Sequence, residues 1–402
     1  MSTQQYDAIV VGARCAGAPT AMLLARQGYR VLAVDRATFP SDTVSTHLLH
    51  PPAVDALRRW GLLDRVIASG CPAIHTYAFD FGPFTLTGSP GMGHADVAYA
   101  PRRTVLDEIL VNAASGAGVE VRAGFTVEEV VFDAGSVAGI RGHSRGGTTV
   151  TEHARVVIGA DGLHSLVAQA VDAERYHEKP PLLAGYYAYW SDLPMAGRFE
   201  SYSRPHRAFA AWPTNHGLTL VIAGWPYSEF ESNKADIEGH FLEVIDLVPE
   251  FAGRLRRAHR EDRFAGLAVP GYFRKPFGPG WALVGDAGYN KDFITAQGIL
   301  DAFRDAELCA RALGHAYSGR RPFPEAMADY HTARDEHVLP MYELTAEIAS
   351  LEPPPPELQQ ILQAASGNQD AMDGFARLNA GVTSPREFFS KESVERIFAA
   401  AR

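Results

Sequence analysis

Three short stretches of this chain set chemically useful residues at spacings a fold can exploit. The first is Gly12-Ala13-Arg14-Cys15-Ala16-Gly17, directly after the apolar run Ile9-Val10-Val11. A glycine turn between a strand and a helix leaves backbone N–H groups free. The helix N-terminus adds partial positive charge, so the arrangement suits a pyrophosphate. Asp35, 23 residues after Gly12, stands where an acid takes ribose hydroxyls in a dinucleotide unit, with Arg36 beside it. The second stretch is Val284-Gly285-Asp286-Ala287-Gly288, followed by Gln297-Gly298 and Asp305-Ala306-Glu307. The third is Thr43-Val44-Ser45-Thr46-His47-Leu48-Leu49-His50. Histidine titrates near neutrality, so His47 or His50 is either an acid–base group or a packed neutral ring. No third ligand accompanies this pair, and no metal is expected.

The elements that would hold these residues follow from patterning. Tyr6–Val11 reads as a buried parallel strand, Ala18–Gln27 as a helix ended by Gly28, and Tyr29–Val34 as a second strand. Arg14 occupies the place of the second glycine in G-x-G-x-x-G. Either the loop shifts, or Arg14 lends its charge to the phosphates or to a neighbour. No second glycine-rich strand–helix unit follows residue 40. A nicotinamide donor therefore visits the cofactor transiently or works through a separate reductase.

The 402 residues are 46% hydrophobic and 21% charged, a globular composition with length for more than one core. The net charge of −10 argues against a nucleic-acid partner. No apolar run reaches the roughly 20 residues of a membrane span. Met1-Ser2-Thr3-Gln4-Gln5 lacks the basic and apolar regions of a signal peptide. The three cysteines are scattered, which fits a reduced, cytoplasmic setting.

Three further motifs carry a family resemblance: Arg103-Thr104-Val105-Leu106 with Leu110, Gly159-Ala160-Asp161-Gly162 with Ser165, and Gly285-Asp286 itself. With the glycine turn they resemble the flavoprotein monooxygenases of the para-hydroxybenzoate hydroxylase type and their relatives, the flavin halogenases and geranylgeranyl reductases. The resemblance spans roughly residues 5 to 340. It implies FAD as cofactor, with Gly12, Arg14, Ala16, Gly17, Asp35, Arg36, Arg103, Val127, Asp161, Gly285, Asp286, Gln297 and Gly298 at its site. NAD(P)H is implied as transient electron donor. The chain departs from the family where Tyr289 replaces a histidine and Phe293 falls near a proline position. No arginine follows Ser165.

The fold implied is α/β: a Rossmann-type FAD-binding domain with an inserted antiparallel β-sheet substrate domain and a helical C-terminal tail. The expected boundaries are 1–70, 102–180 and 276–340 for the cofactor domain, 71–101 and 181–275 for the substrate domain, and 341–402 for the tail. Period-two alternation with aromatics over residues 185–225 supports the sheet. Tyr187, Tyr189, Phe209, Trp212, Trp225 and Phe293 are substrate candidates, although parity alone does not say which face lines a pocket. His47 and Tyr289 are the catalytic candidates. Pro353–Pro356 reads as polyproline II, with two or three short helices beyond it. The activity implied is insertion of one oxygen atom from O2 into an aromatic or planar apolar molecule through a flavin hydroperoxide, in a monomer or homodimer. The alternatives are an alkene or isoprenoid reductase, a halogenase, or a non-catalytic flavin-binding subunit. A W-x-W-x-I-P stretch is absent, which argues against halogenation.

Overall fold

The computed structural model describes residues 5–91 and 93–400; Met1–Gln4, read above for a leader, fall outside these. Five parallel strands form the central sheet, in the order Trp281–Leu283, Val150–Gly159, Tyr6–Val11, Val31–Asp35 and Glu120–Ala123. The first two strands read from sequence lie side by side here, because continuous apolar runs must be covered on both faces. One face packs on helices Gly17–Arg26, Arg103–Gly116 and Gly298–Tyr317. The other is covered by Phe125, Val130, Val137 and Ile140 of the hairpin Phe125–Ser144. Gly12, Asp161 and Asp286 follow the carboxyl ends of these strands and Asp35 stands at one, where open α/β sheets bind ligands.

A second sheet is built from Thr85–Gly88, Thr76–Asp80, Arg198–Arg204, Arg207–Pro213, Thr219–Pro226 and Leu183–Ser191. Its pairings are antiparallel except one. Thr76–Asp80 runs parallel to Arg198–Arg204, so two stretches distant in sequence become one surface through a mixed junction. Both faces are covered. Tyr186, Trp190, Phe209, Val221 and Trp225 pack with helices Ile237–Asp246 and Pro249–Leu255. Tyr187, Tyr189, Trp212, Leu220 and Ile222 face Leu48, Ala296 and the tail.

The tail holds four helices rather than two or three: Pro356–Ala365, Gln369–Asn379, Pro385–Phe388 and Lys391–Ala400. Leu362, Ala376, Phe388 and Ile397 close over Phe79 and Leu86 of the second sheet. Gly88 is needed at this seam, since a Cβ there would lie 2.4 Å from the Met372 carbonyl oxygen. Among the described residues no helix is long and apolar enough to cross a membrane.

Candidate cofactor and substrate site

Three strand-end loops meet at the carboxyl edge of the central sheet, and glycine makes the meeting possible. A Cβ on Gly12, whose φ is +97°, would lie 2.3 Å from the Ala160 carbonyl oxygen, and one on Gly17 would lie 1.7 Å from the Gly12 carbonyl oxygen. A Cβ on Gly285 would lie 2.8 Å from Ala16 Cβ. The loops bearing Gly12, Asp161 and Asp286 are thus one constellation. Helices Gly17–Arg26 and Gly298–Tyr317 both begin there with a glycine and without a side-chain cap; in the first, the Arg14 carbonyl takes the Ala18 amide and Pro19 has none, so Gly17 is the position suited to an anion. Gly298 itself is exposed.

Charged groups line the same cleft. Asp286 is exposed while Gly285 and Ala287 beside it are buried. Solvent reaches this carboxyl, yet protein surrounds it densely. That environment raises its pKa to about 6, with Arg103 pulling it down and Asp301 pushing it up. Arg103 is buried and grips Asp107 through Nε at 3.0 Å and Nη2 at 3.1 Å. Burial works against the Arg103 charge, but Cys15, Asp107 and Asp286 hold it protonated. Arg14 shares Asp107 at 2.5 Å and donates to Ser41 Oγ at 2.8 Å. Its charge therefore goes to a neighbour, and it ties the glycine loop to helix Arg103–Gly116. Asp107 escaped sequence reasoning, although its place one turn after Arg103 was the available signal.

Other expected cofactor residues hold the loops themselves. Asp35 accepts from the Ala13 and Ala37 amides, each at 2.8 Å, which leaves a lone pair on each oxygen for a ribose hydroxyl. Arg36 is exposed beside it. Asp161 accepts from Ser165 Oγ at 2.5 Å and from the Leu166 amide at 2.7 Å, and so starts the short helix Leu166–Ala170. Burial raises its pKa. Val127 is half-buried in the hairpin on the far face of the sheet. Gln297 is buried; it accepts from Lys291 Nζ at 2.8 Å and donates to the Asn379 carbonyl at 2.7 Å, joining the tail to the cleft.

The roof of the cleft joins the two sheets. His47 is fully buried, at φ +62°, with Nε2 bonded to the Tyr189 hydroxyl and Nδ1 without a partner. Burial, followed by the fields of Arg103 and Arg102, lowers its pKa to about 3, so the ring is neutral. The Tyr187 hydroxyl accepts from the Ser45 amide at 3.3 Å. Arg102 lies 3.9 Å over the Tyr189 ring and pairs with Asp42 at 2.8 Å. The adjacent arginines thus diverge: Arg103 turns to the cofactor cleft and Arg102 to the sheet. His50 plays a different part. Its Nε2–H donates to the Thr295 carbonyl at 3.1 Å, so Nδ1 accepts from the Tyr77 hydroxyl at 2.7 Å. Both its nitrogens are satisfied and structural.

The substrate candidates separate by parity. Tyr187, Tyr189 and Trp212 lie on the His47 side of the second sheet, and Phe209 and Trp225 pack with helices on the other. Phe293 presses on the sheet at Gly185, where a Cβ would lie 2.7 Å from its ring. The structure does not bring Tyr289 to His47. Pairing of Tyr289–Asn290 with Gly271–Arg274 places its ring with Phe273 and Tyr342, buried and with its hydroxyl unpartnered. Among the described residues no His, Cys, Asp and Glu cluster of metal-binding size occurs, and all three cysteines are free and buried.

Known proteins share this fold. The chain is 25% identical to a digeranylgeranylglycerophospholipid reductase of Methanocella arvoryzae over 337 residues, covering 81% of this chain and 82% of the relative. It is 25% identical to a tryptophan 2-halogenase of Chondromyces crocatus over 344 residues, covering 82% of this chain and 65% of that protein. The myxobacterial chondrochloren halogenase CndH superposes with a TM-score of 0.80 at 24% identity, covering 99% of this chain and 97% of the other. PqsL of Pseudomonas aeruginosa, described as a probable FAD-dependent monooxygenase, superposes at 0.70 with 21% identity, covering 93% and 99%. Residues 5–344 match the family described as FAD binding domain. The chain therefore belongs to that family of flavoenzymes, which includes the monooxygenases of the para-hydroxybenzoate hydroxylase type.

Proposed function

We propose that this protein is an FAD-dependent monooxygenase that places one atom of O2 into an aromatic or otherwise planar, apolar small molecule. NAD(P)H supplies two electrons, directly or through a separate reductase. The overall change is substrate, O2, NAD(P)H and a proton giving hydroxylated substrate, water and NAD(P)+. The observation that carries the reading is the junction at His47. There a loop of the cofactor fold, Arg102 and the aromatic face of the second sheet close on one another.

Gly12, Gly17 and Gly285 fit a dinucleotide-binding edge, because they let three strand-end loops pack directly on one another where a Cβ would meet Ala160, Gly12 or Ala16. Asp35 is placed for ribose hydroxyls, and the two open helix starts for anionic oxygens. When bound, FAD supplies two-electron chemistry and, once reduced, reaction with oxygen. The protein supplies orientation and dryness. Tyr187, Tyr189, Trp212 and Ile222 are buried on the cleft-side face, which excludes water and favours a flat apolar guest. His47 stays neutral at physiological pH, so its Nε2 accepts a hydrogen bond from the Tyr189 hydroxyl or donates one to it, according to tautomer, without carrying net charge. Arg102 over the Tyr189 ring keeps that hydroxyl in place.

A second reading, reduction of an alkene, is favoured by the archaeal reductase relative, which aligns over four-fifths of both chains. Oxygen separates the two. The protein is reduced anaerobically with NADH and with NADPH while flavin bleaching is followed, and air is then admitted with a panel of phenolic and other aromatic compounds. The proposal expects product only after air enters. Product formed without oxygen selects the reductase reading, and product that requires halide selects halogenation.

A further inference from the structure

Behind the Gly285–Gly288 turn lies a set of side chains that the cofactor motifs do not include. Three consecutive carbonyls of the turn accept hydrogen bonds from the rear. The Tyr272 hydroxyl donates to the Asp286 carbonyl at 2.8 Å, Arg274 Nη1 to the Ala287 carbonyl at 2.8 Å, and Arg334 Nη1 to the Gly288 carbonyl at 3.2 Å. Tyr272 also reaches the Leu163 carbonyl at 3.3 Å, so one hydroxyl spans the loops after strands Val150–Gly159 and Trp281–Leu283.

The two arginines differ in their charge balance. Arg334 is fully buried and pairs with Asp335 at 2.8 Å. Arg274 is also buried, with 3% of its surface exposed, and among the described residues it has no carboxylate partner. Among the described residues its guanidinium hydrogen-bonds the Ala287 carbonyl and, at 3.4 Å, the Tyr272 hydroxyl, and lies 4.5 Å from the Tyr272 ring centre. Nearby stand Asp161, whose field acts on it, and Arg175, a like charge. An unpaired cation inside a protein is costly unless something repays it. The turn it supports carries Asp286 and opens on the cofactor cleft.

We propose that Arg274 is a positioning and charge-tuning residue: a buried cation held under the Asp286 turn that favours the reduced, negatively charged form of bound FAD over the oxidised form. Reduction by two electrons and one proton adds one negative charge to the flavin, and a fixed cation in a poorly screened interior stabilises that charge. The neighbouring Tyr272 acts by geometry alone, bracing two cofactor loops. The inference rests on FAD being the cofactor and holds for either a monooxygenase or a reductase.

The test compares R274M, R274K and Y272F by the midpoint potential of bound FAD, the FAD dissociation constant and the melting temperature of the apoprotein. R274M is expected to lose at least tenfold in affinity for reduced over oxidised FAD, which lowers the two-electron potential by about 30 mV. R274K is expected to stay near the parent potential. Y272F is expected to release FAD more readily with its potential unchanged. The inference is overturned if R274M binds FAD at the parent potential, or if Y272F shifts the potential as far as R274M does. Should R274M fail to fold, R274Q against R274K reads the same charge difference, and equal potentials in that pair overturn it.

Discussion

Gly285 holds a left-handed φ of +58° at the point where the Asp286 turn meets the dinucleotide loop. Replacement by alanine adds a Cβ against Ala16 and about 1–2 kcal/mol of left-handed backbone cost. G285A is expected to purify with far less FAD per chain, read from the ratio of flavin to protein absorbance. Adding Ala16→Gly removes the contact but not the backbone cost, so partial recovery is expected; full retention of FAD by G285A alone contradicts the contact. Asp305 sits behind the same turn, accepting from the Gly285 amide at 3.0 Å, and burial raises its pKa to about 7 from 3.8. The folded state thus binds a proton that the unfolded state has released between those values. Its contribution to stability is complete below about pH 4 and is lost as pH rises through 7. D305N removes this dependence. The melting-temperature difference between D305N and the parent should move in favour of D305N as pH rises through 7, and a constant difference contradicts the assignment. Several of these residues were hard to read in advance. Asp107 is signalled only by its place one turn after Arg103, Asp305 acts through a contact with the Gly285 amide that only the folded turn creates, and Arg102 and Arg103 are adjacent letters whose divergence is a matter of helix direction.

At the scale of elements, the alternation in Leu183–Ser191 and Thr219–Pro226 was legible, but the face each residue takes was not. Both faces of this sheet are buried, so hydrophobicity does not mark the cleft side. Packing of helices Ile237–Asp246 and Pro249–Leu255 settles it, and assigns Phe209 and Trp225 to the far face. Trp225→Ala is expected to lower stability by about 3–5 kcal/mol in denaturant unfolding, with KM unchanged in the folded fraction. Tyr189→Phe is expected to cost less stability, about 1–3 kcal/mol for the buried His47 nitrogen left without a partner, and to lower kcat, since it breaks the bond to His47. A change in KM from Trp225→Ala with no loss of stability contradicts the assignment of faces. The first two strands of the central sheet were easier to read, because Ile9–Val11 and Val31–Val34 are unbroken apolar runs and the turn between strand and helix carries glycines that steric contact demands. The parallel junction of Thr76–Asp80 with Arg198–Arg204 carries no local signal; it depends on pairing between segments more than a hundred residues apart.

At the scale of the molecule, two sheets meet along one cleft, and the tail closes the second sheet from outside. Gln297 links the tail to the cleft through Lys291 and the Asn379 carbonyl, a connection with no counterpart in any sequence motif. The central sheet and its loops follow from glycine, acid and strand patterns read directly in the sequence, within the span 5–344 that matches the family. The second sheet is specified by the packing of its aromatic faces; on the proposed reading that tells the shape of a guest more than its identity. The relatives include proteins named as monooxygenase, halogenase and reductase, so the central claim is the fate of O2. It is tested most directly by turnover of an aromatic substrate under isotopically heavy oxygen gas, with the product read by mass spectrometry. The account predicts one heavy oxygen atom in each product molecule and none when the label is in water. Product that carries no heavy oxygen, or that forms equally well without oxygen, contradicts it.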